Sequence, residues 1–384
     1  MTRTDPTRAT LAAQGLGRVD GSTRAISPPI HLSSTFERDP DNQYRSGRAY
    51  IRADNPSFDQ PEALLTVLEG GAGSMLFSSG MAAATAVFQA LSPGDHVVAP
   101  KVMYWSLRDW LLGFARNWGL DVTIADMTDT GAIGRAVRPG KTKVVWAETP
   151  ANPLWGITDL AAAVEIAHQA GARLAVDSTV ATPVLTQPID FGADIVMHSA
   201  TKYLNGHSDI AAGALVTRTD DEFWQRLKTA RKQLGGVLGS FEAWLLLRGM
   251  RTLFPRVRLA CANAQRIAES LQSNPHVVQV LYPGLPGCPG HAIAAKQMKG
   301  GFGGMLSIRV KGGEAAAVGT AANVRIWKRA TSLGSTESLI EHRASVEGPD
   351  TPCPPDLLRL SAGIEDADDL IDDLAAALAA QSRG

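Results

Sequence analysis

Cysteine is scarce in this chain: three residues, Cys261, Cys288 and Cys353, occur among 384. Such a sparse, odd and widely spaced set of thiols predicts neither a disulfide framework nor a structural zinc site, and it favours the cytoplasm. Long apolar runs are also missing, and the N-terminus lacks the apolar core of a secretory signal. We therefore expect neither a membrane protein nor a disulfide-stabilised secreted one.

Net charge is nearly absent as well, because 37 basic residues offset 38 acidic ones and the pI is close to 6.7. Without a basic excess we expect no nucleic-acid partner and no attraction to anionic membranes. The acidic run at 365–373 predicts the start of a helix and a solvated face, not a metal site. A hydrophobic content of 45% suits a globular chain long enough for two domains.

Strand and helix patterns alternate through the middle of the chain. Apolar runs predict strands at 96–100, 121–125, 143–148, 173–177 and 193–197. A helix is predicted over 158–170, so the order is that of βαβ units with a mostly parallel sheet. Later patterns predict strands at 213–217, 304–310 and 357–361, long helices within 221–273, and a last helix from about residue 365.

Lys202 stands just beyond one of these strands, in the run HSATKYLNGHSD at 198–209. A lysine between small hydroxyl residues in this position is explained if its amine forms a Schiff base with pyridoxal phosphate. Ser199 and Thr201 could then hold the phosphate, and Asp177, at the end of the preceding strand, could keep the ring nitrogen protonated. A surface lysine with ordinary capping residues is the alternative for this motif alone.

Polar side chains end neighbouring strands of the predicted sheet. Glu148, Asp177 and Ser199 each stand at the carboxyl end of a strand, which is where open parallel sheets bind ligands. The run LFSSGMAAA at 76–84 predicts a turn entering a helix whose free N–H groups suit a phosphate. A plain serine-capped helix is the alternative.

Four more side chains are candidates for the same site. Tyr50 and Arg52 place an aromatic ring and a forked cation suited to phosphate near the end of the N-terminal segment. Tyr104 follows the 96–100 strand, where it could stack on the cofactor ring and transfer protons. Arg359 lies in an apolar strand and needs an anion if buried, which an amino-acid carboxylate would supply. A surface loop, a packing tyrosine and an edge-strand arginine are the alternatives.

Together these motifs resemble the pyridoxal-phosphate enzymes of cysteine and methionine metabolism. That family includes cystathionine γ-synthase, cystathionine γ- and β-lyases, methionine γ-lyase and O-acylhomoserine sulfhydrylases. The resemblance covers about 30–365. Its most specific stretch is 199–203 with 206–209, and the segments 148–153, 177–183 and 358–365 also match. It implies an aspartate aminotransferase-like α/β fold (fold-type I), with a mostly parallel sheet domain and a smaller α+β C-terminal domain.

The resemblance also implies a division of the chain and an assembly. Residues 1–55, which lack a strong period, would form an arm contacting the neighbouring subunit. Residues 56–245 would form the cofactor-binding domain, and 246–384 the C-terminal domain. The active site would be shared across a dimer, within a homotetramer.

Carried over to this sequence, the resemblance gives each candidate a role. Lys202 would be the Schiff-base lysine, Asp177 the partner of the ring nitrogen, and Tyr104 the stacking and proton-transferring residue. The residues that bind phosphate would be Gly80, Met81, Ser199 and Thr201, with Tyr50 and Arg52 from the neighbouring subunit. The residues on the carboxylate side of the substrate would be Asn152, Ser332 and Arg359.

The departures from the family pattern concern substrate choice. Methionine γ-lyases have cysteine where Ser106 stands, cystathionine γ-enzymes usually have glutamate where Thr331 stands, and bacterial β-lyases have tryptophan where Leu333 stands. The segment 341–349, beside the distal pocket, also departs from the usual loop. We therefore expect γ-elimination or γ-replacement on a homoserine-derived amino acid with an S- or O-linked γ-substituent.

The alternatives left open are a cystathionine γ-synthase or γ-lyase of transsulfuration, a canavanine-type γ-lyase and, more remotely, an aminotransferase of the same fold. A pyridoxal-phosphate-binding regulator is the non-enzymatic reading, and no DNA-binding helix pair or basic patch supports it. The expected products are a 2-oxo acid with ammonia, or a replaced amino acid.

Overall fold

The computed structural model describes residues 5–348 and 351–381. Pro349, which ends the unusual 341–349 segment, and both chain termini lie outside the described residues. The predicted α/β class is confirmed, since a seven-stranded and a five-stranded sheet are each packed against helices. No helix among these residues combines the length and apolar character needed to cross a bilayer.

The α-helices of the described chain are α1 (Arg8–Gln14), α2 (Pro56–Glu69), α3 (Gly80–Gln89), α4 (Trp105–Trp110), α5 (Arg116–Trp118), α6 (Thr130–Ala136), α7 (Leu160–Gln169), α8 (Thr182–Leu185), α9 (Glu222–Leu234), α10 (Ser240–Met250), α11 (Leu253–Leu271), α12 (His291–Gln297), α13 (Gly313–Asn323), α14 (Ala344–Glu347) and α15 (Ala367–Ala380). A π-helical stretch, Leu111–Ala115, joins α4 to α5, and 3₁₀ turns occupy Gly15–Gly17 and Pro188–Phe191.

The strands are β1 (Gly73–Phe77), β2 (His96–Pro100), β3 (Asp121–Ala125), β4 (Thr142–Glu148), β5 (Arg173–Asp177), β6 (Ile195–His198), β7 (Gly213–Thr217), β8 (Val277–Leu281), β9 (Met305–Val310), β10 (Lys328–Arg329), β11 (Leu339–His342) and β12 (Leu357–Ser361). Every strand predicted from the sequence is confirmed within one or two residues. The largest shift is at β6, because the N–H of Ala193 is bonded to Pro188 in the preceding turn.

The larger sheet has the order β1-β7-β6-β5-β4-β2-β3, with only β7 antiparallel to its neighbours. Its central strands are buried on both faces, which is why they are continuous apolar runs in the sequence. Glu148 is paired with Asp177, and Asp177 with Met197. The carboxyl ends of β4, β5 and β6 therefore meet at one edge, directly before Ser199.

The smaller sheet has the order β10-β11-β12-β9-β8 and is antiparallel apart from the short β10–β11 pair. β12 is central, so Arg359 is 4% exposed and the alternative of an edge-strand arginine facing water is wrong. Across β11 and β12, Glu341 is the register partner of Arg359. A carboxylate of the chain itself thus lies opposite the buried guanidinium.

Helix ends follow the capping residues in the sequence. Ser79 caps α3 by accepting from the N–H of Ala82, and Asp159 caps α7, so the helix predicted over 158–170 begins after its cap. Asp366 caps α15, and Asp368 lies in its first turn, which confirms the helix-start reading of the acidic run.

The N-terminal segment is more ordered than its weak period predicts. Thr7 caps α1 and Gly15 ends it in a left-handed conformation, over a helix of only 7 residues. So short a helix contains too few apolar positions to show a period, and this is why the pattern missed it. Most of 18–49 is exposed, and the indole of Trp244 holds the carbonyl of Pro28 at 3.0 Å.

Candidate active site

A cavity of about 250 Å³ opens at the carboxyl edge of β4, β5 and β6. Its walls combine apolar side chains with a few convergent polar groups, the usual character of a small-molecule site. Eight of the twelve candidate residues line it: Gly80, Met81, Tyr104, Asn152, Asp177, Ser199, Thr201 and Lys202.

Lys202 follows β6 in a turn closed by its own N–H on the carbonyl of Ser199, at 3.0 Å. Its Nζ donates to Ser332 Oγ at 2.7 Å. Burial, with the positive charge of Arg359 as a second cause, lowers the pKa of the Lys202 amine to about 8. The unprotonated, nucleophilic form of this amine is therefore far more populated near neutral pH than for an ordinary lysine, at about a tenth of the molecules.

Ser332 is held between the lysine and the buried arginine. While its hydroxyl accepts from Lys202, its carbonyl accepts from Arg359 Nη2 at 2.8 Å. Its φ of 92° lies in the left-handed region, a conformation that costs a serine about 1–3 kcal/mol. The two contacts on either side fix this strained residue next to the reactive amine.

Asp177 presents one free oxygen to the cavity. Its Oδ1 accepts from Thr179 twice, from the N–H at 3.0 Å and the hydroxyl at 2.6 Å, whereas the described residues give Oδ2 no hydrogen bond. Burial raises the pKa of Asp177, and the Thr179 bonds oppose that rise. A cationic ring nitrogen at Oδ2 would complete the pairing of this buried carboxylate.

Thr179 has a function that the sequence reasoning missed. Its hydroxyl also accepts from the N–H of Ser199 at 2.8 Å, so it ties the Asp177 carboxylate to the lysine-bearing segment. Its contact with Asp177 could have been predicted from the sequence, since an aspartate commonly bonds the backbone N–H two residues further on. Its contact with the Ser199 N–H depends on the pairing of β5 with β6, so it could not be predicted from local sequence.

The start of α3 forms a cradle suited to a phosphate. The helix geometry leaves the N–H groups of Gly80 and Met81 without intrahelical acceptors. A Cβ at Gly80 would stand 2.7 Å from Ser199 Oγ, so only glycine allows this approach. The Thr201 hydroxyl donates to Ala212 O at 3.1 Å, and it must turn to donate to a phosphate.

This donor set fits pyridoxal phosphate. The glycine cradle with the nearby Ser199 hydroxyl suits the phosphate, the free Asp177 Oδ2 suits the ring nitrogen, and the Lys202 amine suits the aldehyde. Tyr104 stands at the start of α4, lines the cavity and is 40% exposed. An aromatic ring there is in position to stack on a bound heterocycle.

Arg359 lies behind the lysine and is surrounded by polar groups. Its Nη1 is 3.3 Å from Asn152 Oδ1, and its Nη2 donates to Glu341 Oε2 at 2.6 Å. Burial, followed by the charge of Arg343, lowers the pKa of Arg359 to about 10. The sequence reasoning missed Glu341 as its partner, because the contact exists only through the β11–β12 register.

Tyr50 and Arg52 are not brought to the cavity within one chain. Arg52 donates to the carbonyl of Lys232 at 2.9 Å and lies over the Tyr50 ring at 5.8 Å. Neither residue lines the cavity wall. Their phosphate contact therefore remains a prediction that requires a second copy of the chain.

Residues 9–379 match the family model described as Cys/Met metabolism PLP-dependent enzyme. Cystathionine gamma-synthase of Mycobacterium tuberculosis is 44% identical over 376 residues, covering 96% of each protein. Cystathionine gamma-lyase of Bacillus subtilis is 40% identical and covers 97% of this chain and 99% of its own. A solved cystathionine gamma synthase from Xanthomonas oryzae pv. oryzae, in complex with aminoacrylate and cysteine, has a TM-score of 0.94 at 42% identity, covering 99% of this chain and 100% of that one.

The match extends over nearly the whole chain, and the fold and the cavity residues agree with it. The predicted fold-type I architecture and the predicted cofactor, pyridoxal phosphate, are thereby confirmed. The chain belongs to the Cys/Met metabolism PLP-dependent enzyme family.

Proposed function

We propose that this enzyme replaces or eliminates the γ-substituent of a homoserine-derived amino acid, where the substituent is joined through sulfur or oxygen. The products are a replaced amino acid, or a 2-oxo acid with ammonia. The observation that carries this proposal is the Lys202 amine, bonded to Ser332 and facing a cavity that also contains Asp177 and Tyr104.

Bound pyridoxal phosphate supplies an electron-withdrawing ring that accepts the electron pair left at Cα. Lys202, once its amine is free, removes the Cα proton, gives that proton up to the bound cofactor and, neutral again, removes a Cβ proton. Its lowered pKa suits this work, because a general base is most effective when its pKa lies near the working pH. Asp177 Oδ2 holds a proton at the ring nitrogen, and the Tyr104 hydroxyl donates a proton to the departing γ-substituent.

The substrate carboxylate is assigned to Arg359, Asn152 and Ser332. Arg359 is buried and presents donors in a fixed planar fork, the geometry that a carboxylate accepts best. Because Glu341 already occupies Nη2, the substrate competes for donors that a protein carboxylate partly satisfies. This arrangement favours orientation of the substrate over a very high affinity for it.

The assembly proposed with this function is a homo-oligomer, as a dimer of dimers, located in the cytoplasm. Its arm, 1–55, would carry Tyr50 and Arg52 to the phosphate of a neighbouring copy. Residues 56–245 would bind the cofactor and 246–384 would form the C-terminal domain. The exposed Tyr50, at 48%, is consistent with a surface that another copy covers.

A second candidate is a cystathionine γ-synthase or γ-lyase in the strict sense, favoured by relatives of that name at 44% and 40% identity. Thr331 argues against this candidate, since it is exposed and supplies no negative charge to pair with the distal ammonium group of cystathionine. A canavanine-type γ-lyase differs from both in having an oxygen-linked leaving group.

The deciding experiment is a substrate panel with product identification. The holoenzyme is incubated with an O-acylhomoserine plus cysteine, with cystathionine, and with canavanine, and the keto acids and amino acids formed are identified by mass spectrometry. We expect a product altered at Cγ from at least one of the homoserine-derived compounds. Pyruvate from cystathionine, or amine exchange with 2-oxoglutarate alone, would refute the proposal.

The control for this panel is Lys202→Ala. We expect it to lose the cofactor's bound absorbance band and turnover with every substrate, because no other amine lines the described cavity wall. Lys228→Ala, which removes an exposed lysine paired with Asp220, should behave as wild type. Wild-type turnover by Lys202→Ala would refute the proposal that Lys202 binds the cofactor and acts as the general base.

A further inference from the structure

Glu148 is a buried carboxylate that lines the cavity and that the proposed mechanism leaves without a function. It ends β4, is 6% exposed, and lies across from Asp177 in the strand register. Burying a carboxylate is costly unless its oxygens are well bonded. The hydrogen bonds that its two oxygens accept are therefore the evidence for its function.

Each oxygen of Glu148 accepts one backbone N–H. Oε2 accepts from the N–H of Tyr104 at 2.8 Å, and Oε1 accepts from the N–H of Asn152 at 2.8 Å. Tyr104 begins α4 after strand β2, whereas Asn152 lies in the loop after β4. One side chain thus connects the two loops that carry the ring-stacking residue and a substrate-binding residue.

A carboxyl group can make both contacts in either protonation state, because both of its oxygens accept when it is ionised and its hydroxyl oxygen keeps acceptor capacity when it is protonated. Glutamine of the same shape offers one acceptor oxygen, and its NH₂ group would face the second N–H as donor against donor. When Glu148 is ionised, these hydrogen bonds are about twice as strong as neutral ones. In that state both loops are held more firmly than ordinary backbone contacts would hold them.

The electrostatic cost of this arrangement is considerable. Burial, and then the negative charge of Asp177, raise the pKa of Glu148 to about 8, and the two N–H bonds oppose that rise. The described residues place no ion-pair partner on Glu148. A structural carboxylate with no bearing on the site would be more stable as a neutral side chain.

We infer that Glu148 is a positioning residue, which fixes the Tyr104 and Asn152 backbones together and so couples ring stacking to substrate orientation. The inference rests on the functions proposed above for Tyr104 and Asn152. It concerns the chain's own geometry, so it can be tested on the bound cofactor without a substrate.

The test uses the holoenzyme of Glu148→Gln. We expect the cofactor's absorbance to remain, because Lys202 is untouched, while its visible circular dichroism decreases as the Tyr104 loop loosens. In the steady state we expect a lower kcat together with a higher KM, and a combined loss in kcat/KM of roughly 10- to 100-fold, as for one charge-assisted hydrogen bond. A purely structural function would lower thermal stability without changing the cofactor's dichroism.

Glu365→Gln is the matched control. Glu365 accepts from the N–H of Ser338 at 2.6 Å and from its hydroxyl at 2.8 Å, and it does not line the cavity. This variant should keep wild-type cofactor dichroism. If both glutamine variants change thermal stability alike and neither alters the dichroism, the inference fails.

Glu148→Asp provides the same test if Glu148→Gln does not fold. The shorter side chain keeps the charge but cannot reach both N–H groups, so a reduced dichroism is again expected. Wild-type dichroism and kinetics would overturn the inference.

The readouts also distinguish failure of this inference from failure of the proposed function. Failure of the substrate panel with altered dichroism in the Glu148 variants refutes the proposed function alone.

Discussion

At the scale of single residues, the site depends on side chains whose ionisation is changed by burial. The Lys202 amine loses hydration and feels the positive charge of Arg359, while Asp177 loses hydration but gains two bonds from Thr179. Burial favours the neutral form of both groups, whereas the two Thr179 bonds favour the ionised form of Asp177. In the proposed assignment, pyridoxal phosphate would offer its aldehyde to Lys202 and its ring nitrogen to Asp177.

The lowered pKa of Lys202 predicts how the apoprotein captures its cofactor. The unprotonated amine is the nucleophile, so the capture rate should rise with pH through about 8 and level off above it. Below that pH the amine is mostly protonated and capture should slow tenfold per pH unit. Stopped-flow absorbance after addition of pyridoxal phosphate to apoprotein measures this rate.

An unburied amine provides the comparison for this experiment. N-acetyl-lysine should keep gaining rate up to about 10.5, the ordinary lysine value. A pH profile of the apoprotein that follows N-acetyl-lysine would show that the Lys202 amine is not perturbed in the folded protein.

At the scale of elements, the β11–β12 pair and the helix α14 build a buried charge network behind the site. Arg343 is 2% exposed in its side chain and bonds Glu341 at 2.7 Å and Glu347 at 2.7 Å. Glu341 in turn holds Arg359 at 2.6 Å. The unusual segment that begins at 341 thus supplies two anions and one cation near Arg359, the residue proposed to bind the substrate carboxylate.

Arg343→Met should destabilise this element strongly. Removing the guanidinium leaves Glu341 and Glu347 buried with one fewer cation, and breaking a buried pair in this way costs about 3–5 kcal/mol. Urea unfolding of the holoenzyme, monitored by tryptophan fluorescence, measures the change.

The control is Arg135→Met, which removes an exposed arginine paired with Asp129 at 3.2 Å. Exposed pairs contribute only about 0–1 kcal/mol, so this variant should unfold close to wild type. Equal losses in the two variants would show that the buried network adds nothing beyond an ordinary surface pair.

At the scale of the whole molecule, one chain holds most of the site but leaves Tyr50 and Arg52 at its surface. Arg52 is bonded to Lys232 of its own chain and does not reach the cavity. The proposed dimer explains both facts, because a neighbouring arm would complete the phosphate site. Shared sites of this kind can be tested by mixing subunits.

Two inactive variants, Lys202→Ala and Arg52→Ala, should restore activity when they are unfolded and refolded together. In a mixed dimer one site carries both substitutions and the other carries neither, so random pairing gives roughly a quarter of wild-type activity. Steady-state turnover before and after mixing is the measurement. Refolding each variant alone is the control, and a mixture as inactive as its components would contradict a shared site.

The local features of this protein could be predicted from its residues alone. Continuous apolar runs defined β2, β4, β5 and β6, since strands buried on both faces leave little choice of residue. The Ser-Ala-Thr-Lys run at 199–202 and Asp177 predicted the cofactor, because each stands at the end of an apolar run that is recognisable in the sequence. The short helix α1 was not predicted, since a capped helix of 7 residues shows no period.

The tertiary structure alone decided the contacts between distant segments. Ser332 reaches Lys202 across 130 positions of sequence, and Glu341 reaches Arg359 only through strand register. The contact between Glu148 and the Tyr104 N–H likewise requires β2 and β4 to be neighbours in the sheet. Local sequence patterns report burial and helix capping. These contacts instead depend on which distant segments become neighbours in the folded chain, and no local pattern contains that information.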